Sequence, residues 1–276
     1  MTYDPLQVGG VDDYPVKVGS MLLTLVDPHK GHERAYNRWY ERDHYYGGCL
    51  IGPYCLGGSR WVAPRALKDL RWPQHDGPIA TPWDAGSYVA IYFVERGHHG
   101  DFFGWGSKQV KALYGGGRGF NERTHVHTIL YDHLGASYRD PDPVPIDLAL
   151  DAAYDGIVLA WFDTSTARNG QDTYNALSSG PLTDLLAGTN VEIASSWLPS
   201  AGQDRPPGTP MDLGSGPGGP ERLLQLFFVR GDVADALPAI HEYTDSIEAN
   251  NLATVRLVAP FFRTKVGTDT YIDELW

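Results

Sequence analysis

The chain has 276 residues, of which 42% are hydrophobic and 20% are charged, a balance typical of a globular protein. The net charge of −12 argues against a nucleic-acid partner, because binding to phosphates requires clustered positive charge. No apolar run reaches the roughly 20 residues that span a bilayer, and the first residues lack the basic and apolar parts of a signal peptide. We therefore expect a cytoplasmic protein with no membrane partner. Cys49 and Cys55 are too few for a disulfide framework or a Cys-rich zinc site.

The first half of the sequence predicts the order β-α-β-β-α-β. An apolar strand is followed by a helix rich in aromatic residues, two further strands, a second helix and a last strand. Short runs rich in Val, Ile, Tyr and Phe are typical of half-buried strands. The predicted strands are residues 19–28, 57–61, 87–97 and 124–132, and the predicted helices are 32–48 and 100–114.

The second half repeats this order. Tyr36-Asn37 recurs as Tyr174-Asn175, 138 residues later (174 − 36). Helices that follow the first and third strands form the split βαβ pattern, and one such sheet alone leaves a face open. We therefore predict an α+β fold in which two tandem ferredoxin-like repeats form one intrachain α/β barrel. The predicted strands of this half are 155–164, 193–197, 222–232 and 253–261, and its helices are 169–188 and 233–250.

Two long connections join the second and third strand of each half. Connections of this length are usually functional covers or disordered. Residues 63–86 contain two tryptophans and could form an ordered cover, whereas residues 198–221 are rich in Gly and Pro and are expected to be mobile. The predicted units are an N-terminal repeat with the candidate active site (1–138), a Pro-rich linker (139–155) and a C-terminal repeat with a degenerate site (156–276).

Residues 36–44, YNRWYERDH, resemble the first-helix motif of the dimeric α/β-barrel superfamily, aromatic-Asn-x-Trp-Tyr-x-x-x-His. They are most similar to the branch near EthD-like proteins and small polyketide-cyclase or monooxygenase relatives, although Tyr46 stands where that branch often has Pro. The resemblance implies a pocket between the helices and the sheet. The superfamily contains cofactor-free cyclases, dehydratases, decarboxylases, isomerases, quinone-forming monooxygenases and some haem enzymes, so the fold leaves the reaction open.

The second half lacks this motif. At the same offset, Trp39 and His44 align with Leu177 and Leu182. Purely structural residues would be needed in both halves. The difference predicts one working site, in the N-terminal half. The alternative is that a symmetric interface was lost, so that these positions in the second half were free to change.

Within the motif, spacing predicts one helical stripe, because residues three or four apart share a face. His44 is a candidate general acid or base, since an imidazole titrates near neutral pH; the alternative is a histidine that packs near the helix C-terminus. Tyr40 could donate a hydrogen bond to a developing oxyanion or could be a core aromatic residue. The stripe consists of Tyr36, Trp39, Tyr40, Asp43 and His44.

His125 and His127 lie two apart on a predicted strand, so their side chains are expected on one face. They could bind a metal if Glu41, Asp43 or His44 supplied a third ligand. We favour pocket roles without a metal, catalytic for His127 and substrate-binding for His125, over a surface position.

Further candidates lie on the second and third strands and the second helix. Arg60 could anchor a carboxylate or enolate or form a surface salt bridge, and Tyr88 and Tyr92 share a strand face that could floor a pocket or simply fill the core. The predicted substrate-binding residues are Tyr36, Trp39, Arg60, Tyr88, Tyr92, Trp105 and His125.

These residues favour a cofactor-independent lyase, dehydratase, cyclase or isomerase. In this hypothesis, His44 moves a proton at a carbon next to a carbonyl of a hydrophobic aromatic, polyketide-like or terpenoid/steroid-like ketone or phenol. One alternative is a cofactor-free or haem-dependent monooxygenase of the same fold. Another is a non-catalytic protein that binds a small hydrophobic molecule. We expect no metal or other cofactor, and the pattern is compatible with a homodimer.

Overall fold

The computed structural model describes residues 16–165, 168–203 and 210–276. Its strands are β1 (Val18–Pro28), β2 (Cys55–Val62), β3 (Tyr88–Glu95), β4 (Arg123–Tyr138), β5 (Gly156–Thr164), β6 (Val191–Pro199), β7 (Arg222–Val229) and β8 (Ala253–Arg263). Its α-helices are α1 (Glu33–Trp39), α2 (Arg65–Lys68), α3 (His99–Gly115), α4 (Gly170–Ser178), α5 (Pro181–Ala187) and α6 (Val233–Ala249). A π-helix (Tyr40–Leu50) continues α1, and short 3-10 helices cover Ile146–Leu148 and Ile272–Glu274.

The eight strands are antiparallel to their neighbours and close into a barrel in the order β1-β3-β2-β8-β5-β7-β6-β4. The first half contributes the run β4-β1-β3-β2 and the second half the run β8-β5-β7-β6. The halves meet along β2–β8 and β4–β6. Strand β4 continues to Tyr138, beyond its predicted end, because its last residues pair with β6 of the other half.

Each strand separates two apolar layers, as the two-residue period of a strand requires. On β1, Met21, Leu23 and Leu25 point into the barrel and are fully buried there. Leu22 and Val26 belong to the opposite layer, which packs under the first-half helices. The site described below lies in this outer layer, outside the barrel interior.

Two predicted helices have a different form in the structure. Residues 32–48 were expected to form one α-helix, but the α-helical part ends at Trp39 and a π-helix follows. Residues 169–188 form two helices that separate at Gly180-Pro181, because a proline cannot donate the backbone hydrogen bond that continues a helix.

Both long connections make specific contacts with the barrel. Residues 63–86 contain α2, and Trp72 exchanges backbone hydrogen bonds with Val258 of β8, at 3.3 and 2.6 Å. Residues 198–221 were expected to be mobile, and residues 204–209 lie outside the described residues. In the described part, the Gln203 side chain pairs with the backbone N–H and carbonyl of Leu130. Among the described residues, none of the helices combines the length and apolar character that a membrane span requires.

Candidate active site

A cavity of about 140 Å³ lies between the first-half helices and the outer face of β1 and β4. Its wall is predominantly apolar, and exposed Lys111 and Pro210 lie on its rim. The lining residues come from β1 (Leu22, Thr24), the π-helix (Tyr40, His44, Gly48, Cys49), α3 (Phe102, Phe103, Gly106, Ser107, Val110, Lys111), β4 (Arg123, His125, Thr128) and the later chain (Pro210, Met211, Leu213).

The π-helix decides which side chains face this cavity. Its i→i+5 hydrogen bonds widen the turn, so residues about four to five apart share a face. Tyr40, His44 and Gly48 accordingly line the cavity together. The predicted stripe was wrong at Asp43, whose carboxylate points away and accepts a hydrogen bond from Arg118 Nε at 3.0 Å.

His44 presents a neutral imidazole to the cavity. Its ring stacks on Trp39 at 4.5 Å with an interplanar angle of 17°. Within the described part of the chain, neither ring nitrogen has a hydrogen-bond partner, and burial together with the nearby Arg123 charge lowers its pKa to about 4. Gly48 makes room for the ring, because a Cβ at that position would lie 2.6 Å from His44 Nδ1.

Arg123 is a buried cation whose partners are all neutral. Its Nε donates to His125 Nε2 at 3.1 Å, its Nη2 donates to Tyr114 Oη at 2.6 Å, and its guanidinium carbon lies 4.7 Å from the centre of the Trp39 ring. The side chain is 9% exposed, and no carboxylate among the described residues pairs with it. A buried guanidinium without a counter-ion favours an anion next to it.

His125 is held in one tautomer. Because its Nε2 accepts from Arg123, its Nδ1 carries the proton and donates to Thr128 Oγ1 at 2.7 Å. The Thr128 hydroxyl lies 3.0 Å from that of Thr24. Burial and the charge of Arg123 lower the pKa of His125 to about 3, so this imidazole is a neutral structural member of the cavity wall.

His127 does not share a face with His125, and that prediction was wrong. On β1, Leu25 pairs with His127 and Val26 pairs with His125, which leaves Val126 as an extra residue in a β-bulge. His127 therefore points into the barrel and is fully buried. It lies 2.6 Å from Tyr131 Oη and 2.7 Å from Ser215 Oγ, and burial lowers its pKa to about 3.

This bulge removes the arrangement that the metal-site alternative requires, which is two histidines on one face of β4. Two imidazoles on opposite faces cannot share one ion with Glu41, Asp43 or His44. Across residues 16–165, 168–203 and 210–276, no three His, Cys, Asp or Glu side chains come together as metal ligands.

The predicted aromatic residues include four tyrosines, Tyr36, Tyr40, Tyr88 and Tyr92. Tyr40 lines the cavity, and the other three pack beside it. Tyr40 and Tyr92 share a hydrogen bond of 3.0 Å between their hydroxyls, and burial raises the pKa of both well above the ordinary value. Tyr36 and Tyr88 are buried in the same cluster.

Arg60 and Trp105 were predicted to bind substrate, but neither lines the cavity. Arg60 is 5% exposed and donates hydrogen bonds to Asn37 Oδ1 at 3.0 Å and Glu41 Oε1 at 3.3 Å. Trp105 contacts Phe102, with ring centres 6.2 Å apart. Arg60 thus stabilises the helix against β2, and Phe102 takes the place predicted for Trp105.

Sequence reasoning missed several lining residues. The outward pattern Arg123-x-His125 on β4 was a usable signal, since both side chains lie on one strand face. Met211 and Leu213 had no such signal, because they come from the β6–β7 connection of the other half. In that half, Leu177 and Leu182 replace the motif residues and are fully buried.

Comparison with solved structures identifies chains of similar fold. A protein described as "Putative Chlorite dismutase TA0507" has a TM-score of 0.54 and 8% identity, and the match covers 94% of this chain and 100% of that chain. A "Putative monooxygenase (FN1347)" from Fusobacterium nucleatum has a TM-score of 0.52 and 10% identity, over 90% of this chain and 93% of that one. An "anthrone oxidase-like protein" has a TM-score of 0.52 and 8% identity, and the match covers 92% of this chain and 98% of that chain. Searches of protein-family models and of curated proteins gave no match.

These likenesses support the ferredoxin-like α/β fold without singling out the EthD-like branch. They contradict the favoured reaction class. The similar chains are described as a dismutase, a monooxygenase and an oxidase-like protein, and not as a lyase, cyclase, dehydratase or isomerase. The prediction of a cofactor-free lyase or isomerase was wrong.

Proposed function

We propose that this chain is a cofactor-independent oxygenase of the monooxygenase type that acts on an ionisable aromatic ketone or phenol. One observation carries the proposal. The cavity brings a neutral, partnerless imidazole, that of His44, next to Arg123, a buried cation without a counter-ion. A base beside a cation is the arrangement that removes a proton and stabilises the anion left behind.

In the proposed reaction, a CH₂ group next to the aromatic system becomes a ketone. His44 takes one proton, and Arg123 stabilises the resulting enolate. The anion gives one electron to O₂, and the two radicals combine to form a C–O bond. Protonated His44 returns its proton to the peroxide. Loss of the second C–H proton and cleavage of the O–O bond then give the ketone and water, so that R₂CH₂ and O₂ become R₂C=O and H₂O.

The surroundings of His44 suit this role. Burial keeps its pKa at about 4, so the ring is unprotonated and able to accept a proton at neutral pH. An anion that forms beside it raises its pKa, because a negative neighbour favours the imidazolium. The apolar wall, including Phe102 and Phe103, excludes water from the enolate and strengthens its attraction to Arg123.

The size of the cavity supports the cofactor-free alternative over the haem alternative. A volume of about 140 Å³ is close to that of an engineered cavity that holds benzene, about 150 Å³. A tetrapyrrole is larger than that space. Of the two histidines in the wall, His125 has both ring nitrogens engaged and His44 has both free of partners among the described residues, so the size of the space is what argues against haem. Haem therefore does not fit this site, and no step of the proposal uses it. A substrate larger than one ring extends past the rim at Lys111 and Pro210.

We further propose that the two halves are copies of one β-α-β-β-α-β unit, of which the first kept its site. The matching strand runs β4-β1-β3-β2 and β8-β5-β7-β6 support this. So does the replacement of the motif residues by Leu177 and Leu182, which are fully buried.

Oxygen uptake tests the proposed function. With anthrone as substrate, the wild-type protein should consume one O₂ for each ketone formed, and His44→Asn should reduce the rate at least about 100-fold, the usual contribution of a general base. His75→Asn, at an exposed loop position, is the matched control and should leave the rate unchanged. Anthrone binding without oxygen uptake would favour the non-catalytic alternative instead.

A further inference from the structure

We infer that residues 210–215, here named the crossing segment, form the wall that sets the size of substrate the cavity accepts, and that Ser215 and His127 position this wall. The inference rests on the proposed function, because it concerns the same cavity. The crossing segment belongs to the β6–β7 connection of the second half, yet it closes the site of the first half.

The crossing segment lies directly on the β4 bulge. Thr128 N–H donates to the Leu213 carbonyl at 3.0 Å, and Ser215 N–H donates to the Val126 carbonyl at 2.8 Å. Between them, Gly214 has φ +80°, and a Cβ there would lie 2.3 Å from Val126 O. Only glycine permits this close approach of two backbones.

The Ser215 hydroxyl connects the crossing segment to the barrel interior through an ordered chain of hydrogen bonds. Trp161 Nε1 can only donate, so Tyr131 Oη accepts from it at 3.0 Å and gives its own proton to His127 Nε2 at 2.6 Å. His127 Nδ1 then donates to Ser215 Oγ at 2.7 Å, and Ser215 donates to the Ile79 carbonyl at 2.8 Å. The Val126 carbonyl lies 3.1 Å from Ser215 Oγ and is a second possible acceptor. Ser215 is thus held from the barrel interior by His127 and on its other side by two backbone carbonyls.

On the cavity side, the crossing segment contributes three apolar side chains, Pro210 on the rim and Met211 and Leu213 in the wall. The Met211 sulfur also accepts a hydrogen bond from Arg123 Nη2 at 3.3 Å. Met211 therefore touches the cation that we assign to anion binding and bounds the space beside it. Shortening this side chain enlarges the cavity next to Arg123 and beside Pro210 on the rim.

Two phenols of different size test this inference. The probes are 4-nitrophenol, with one ring, and 4-nitro-1-naphthol, with two, and the ionised form of each is followed by its visible absorbance. Met211→Ala should shift the ratio of the two dissociation constants about tenfold toward the larger probe, as expected for a few methylene groups in an apolar pocket. Ser215→Ala should shift it in the same direction, because the wall loses its anchor.

Ser195→Ala is the matched control for Ser215→Ala. Like Ser215, Ser195 accepts a side-chain hydrogen bond, from Trp197 Nε1 at 2.9 Å; it is fully buried, whereas Ser215 is half-buried, and it does not line the cavity. It should lower stability but leave the ratio of dissociation constants unchanged. If the wild type binds both probes and neither Met211→Ala nor Ser215→Ala moves the ratio, this inference is wrong while the proposed function stands. If the wild type binds neither probe, the proposed function fails and this inference with it.

Discussion

The buried His127 should make the protein sensitive to acid in a measurable way. Its pKa is about 3 in the folded state, well below the ordinary value of 6.5, because its ring is fully buried among Tyr131, Trp161 and Ser215. Between pH 6.5 and 3 the unfolded chain binds a proton at this position and the folded chain does not. Stability is therefore complete above pH 6.5 and falls as the pH decreases below it.

The size of this effect follows from the two pKa values. Each pH unit below 6.5 costs about 1.4 kcal/mol for one such group, so lowering the pH from 7 to 5 should reduce the free energy of unfolding by about 2 kcal/mol through His127 alone. The pKa values of His44, His125 and His133 are lowered too, mainly by burial, and act in the same direction.

Urea denaturation at pH 7, 6 and 5 measures this dependence. The wild type and His75→Gln, whose histidine is exposed, should lose stability with the same slope. His127→Gln should be less stable at pH 7 but should lose about 2 kcal/mol less on going to pH 5. Equal slopes for wild type and His127→Gln would refute the reasoning. Should His127→Gln fail to fold, a wild-type stability that is flat between pH 7 and 5 would refute it equally.

Two substitutions in the π-helix test its geometry. Gly48→Ala places a Cβ against the His44 ring and should reduce anthrone-dependent oxygen uptake about tenfold or more by misplacing the base. Gly104→Ala is the control, because a Cβ at that position has nothing within 4 Å, and equal rates for the two variants would contradict the geometry. Asp43→Asn should leave oxygen uptake unchanged and cost less than about 1 kcal/mol in a thermal melt, because its pair with Arg118 is largely exposed; a large loss of uptake would show that Asp43 belongs to the site.

The sequence predicted the strands well because their burial is local information. The apolar run of residues 253–261, for example, corresponds to β8, Ala253–Arg263. Where the prediction failed, the cause was distant in the chain. The last residues of β4 are ordered by pairing with β6, and the polar pattern there gave no reason to extend the strand.

The site was predicted in part, for similar reasons. His44 and Trp39 were predicted to lie together because their motif is contiguous, and the structure stacks their rings, with His44 in the cavity wall and Trp39 behind it. The bulge at Val126, which separates His125 from His127, depends on the register with β1 and cannot be read from β4 alone. Arg60 was misassigned because its partner Glu41 lies on another element.

Anaerobic mixing with anthrone tests the central claim most directly, since it separates proton removal from the reaction with oxygen. At pH 7 without O₂, the wild-type protein should produce the long-wavelength absorbance of the anthrone anion, and His44→Asn should not. When O₂ is then added, that absorbance should disappear as the ketone forms. Absence of the anion in the wild type, or its equal formation in His44→Asn, would contradict the assignment of His44 as the base.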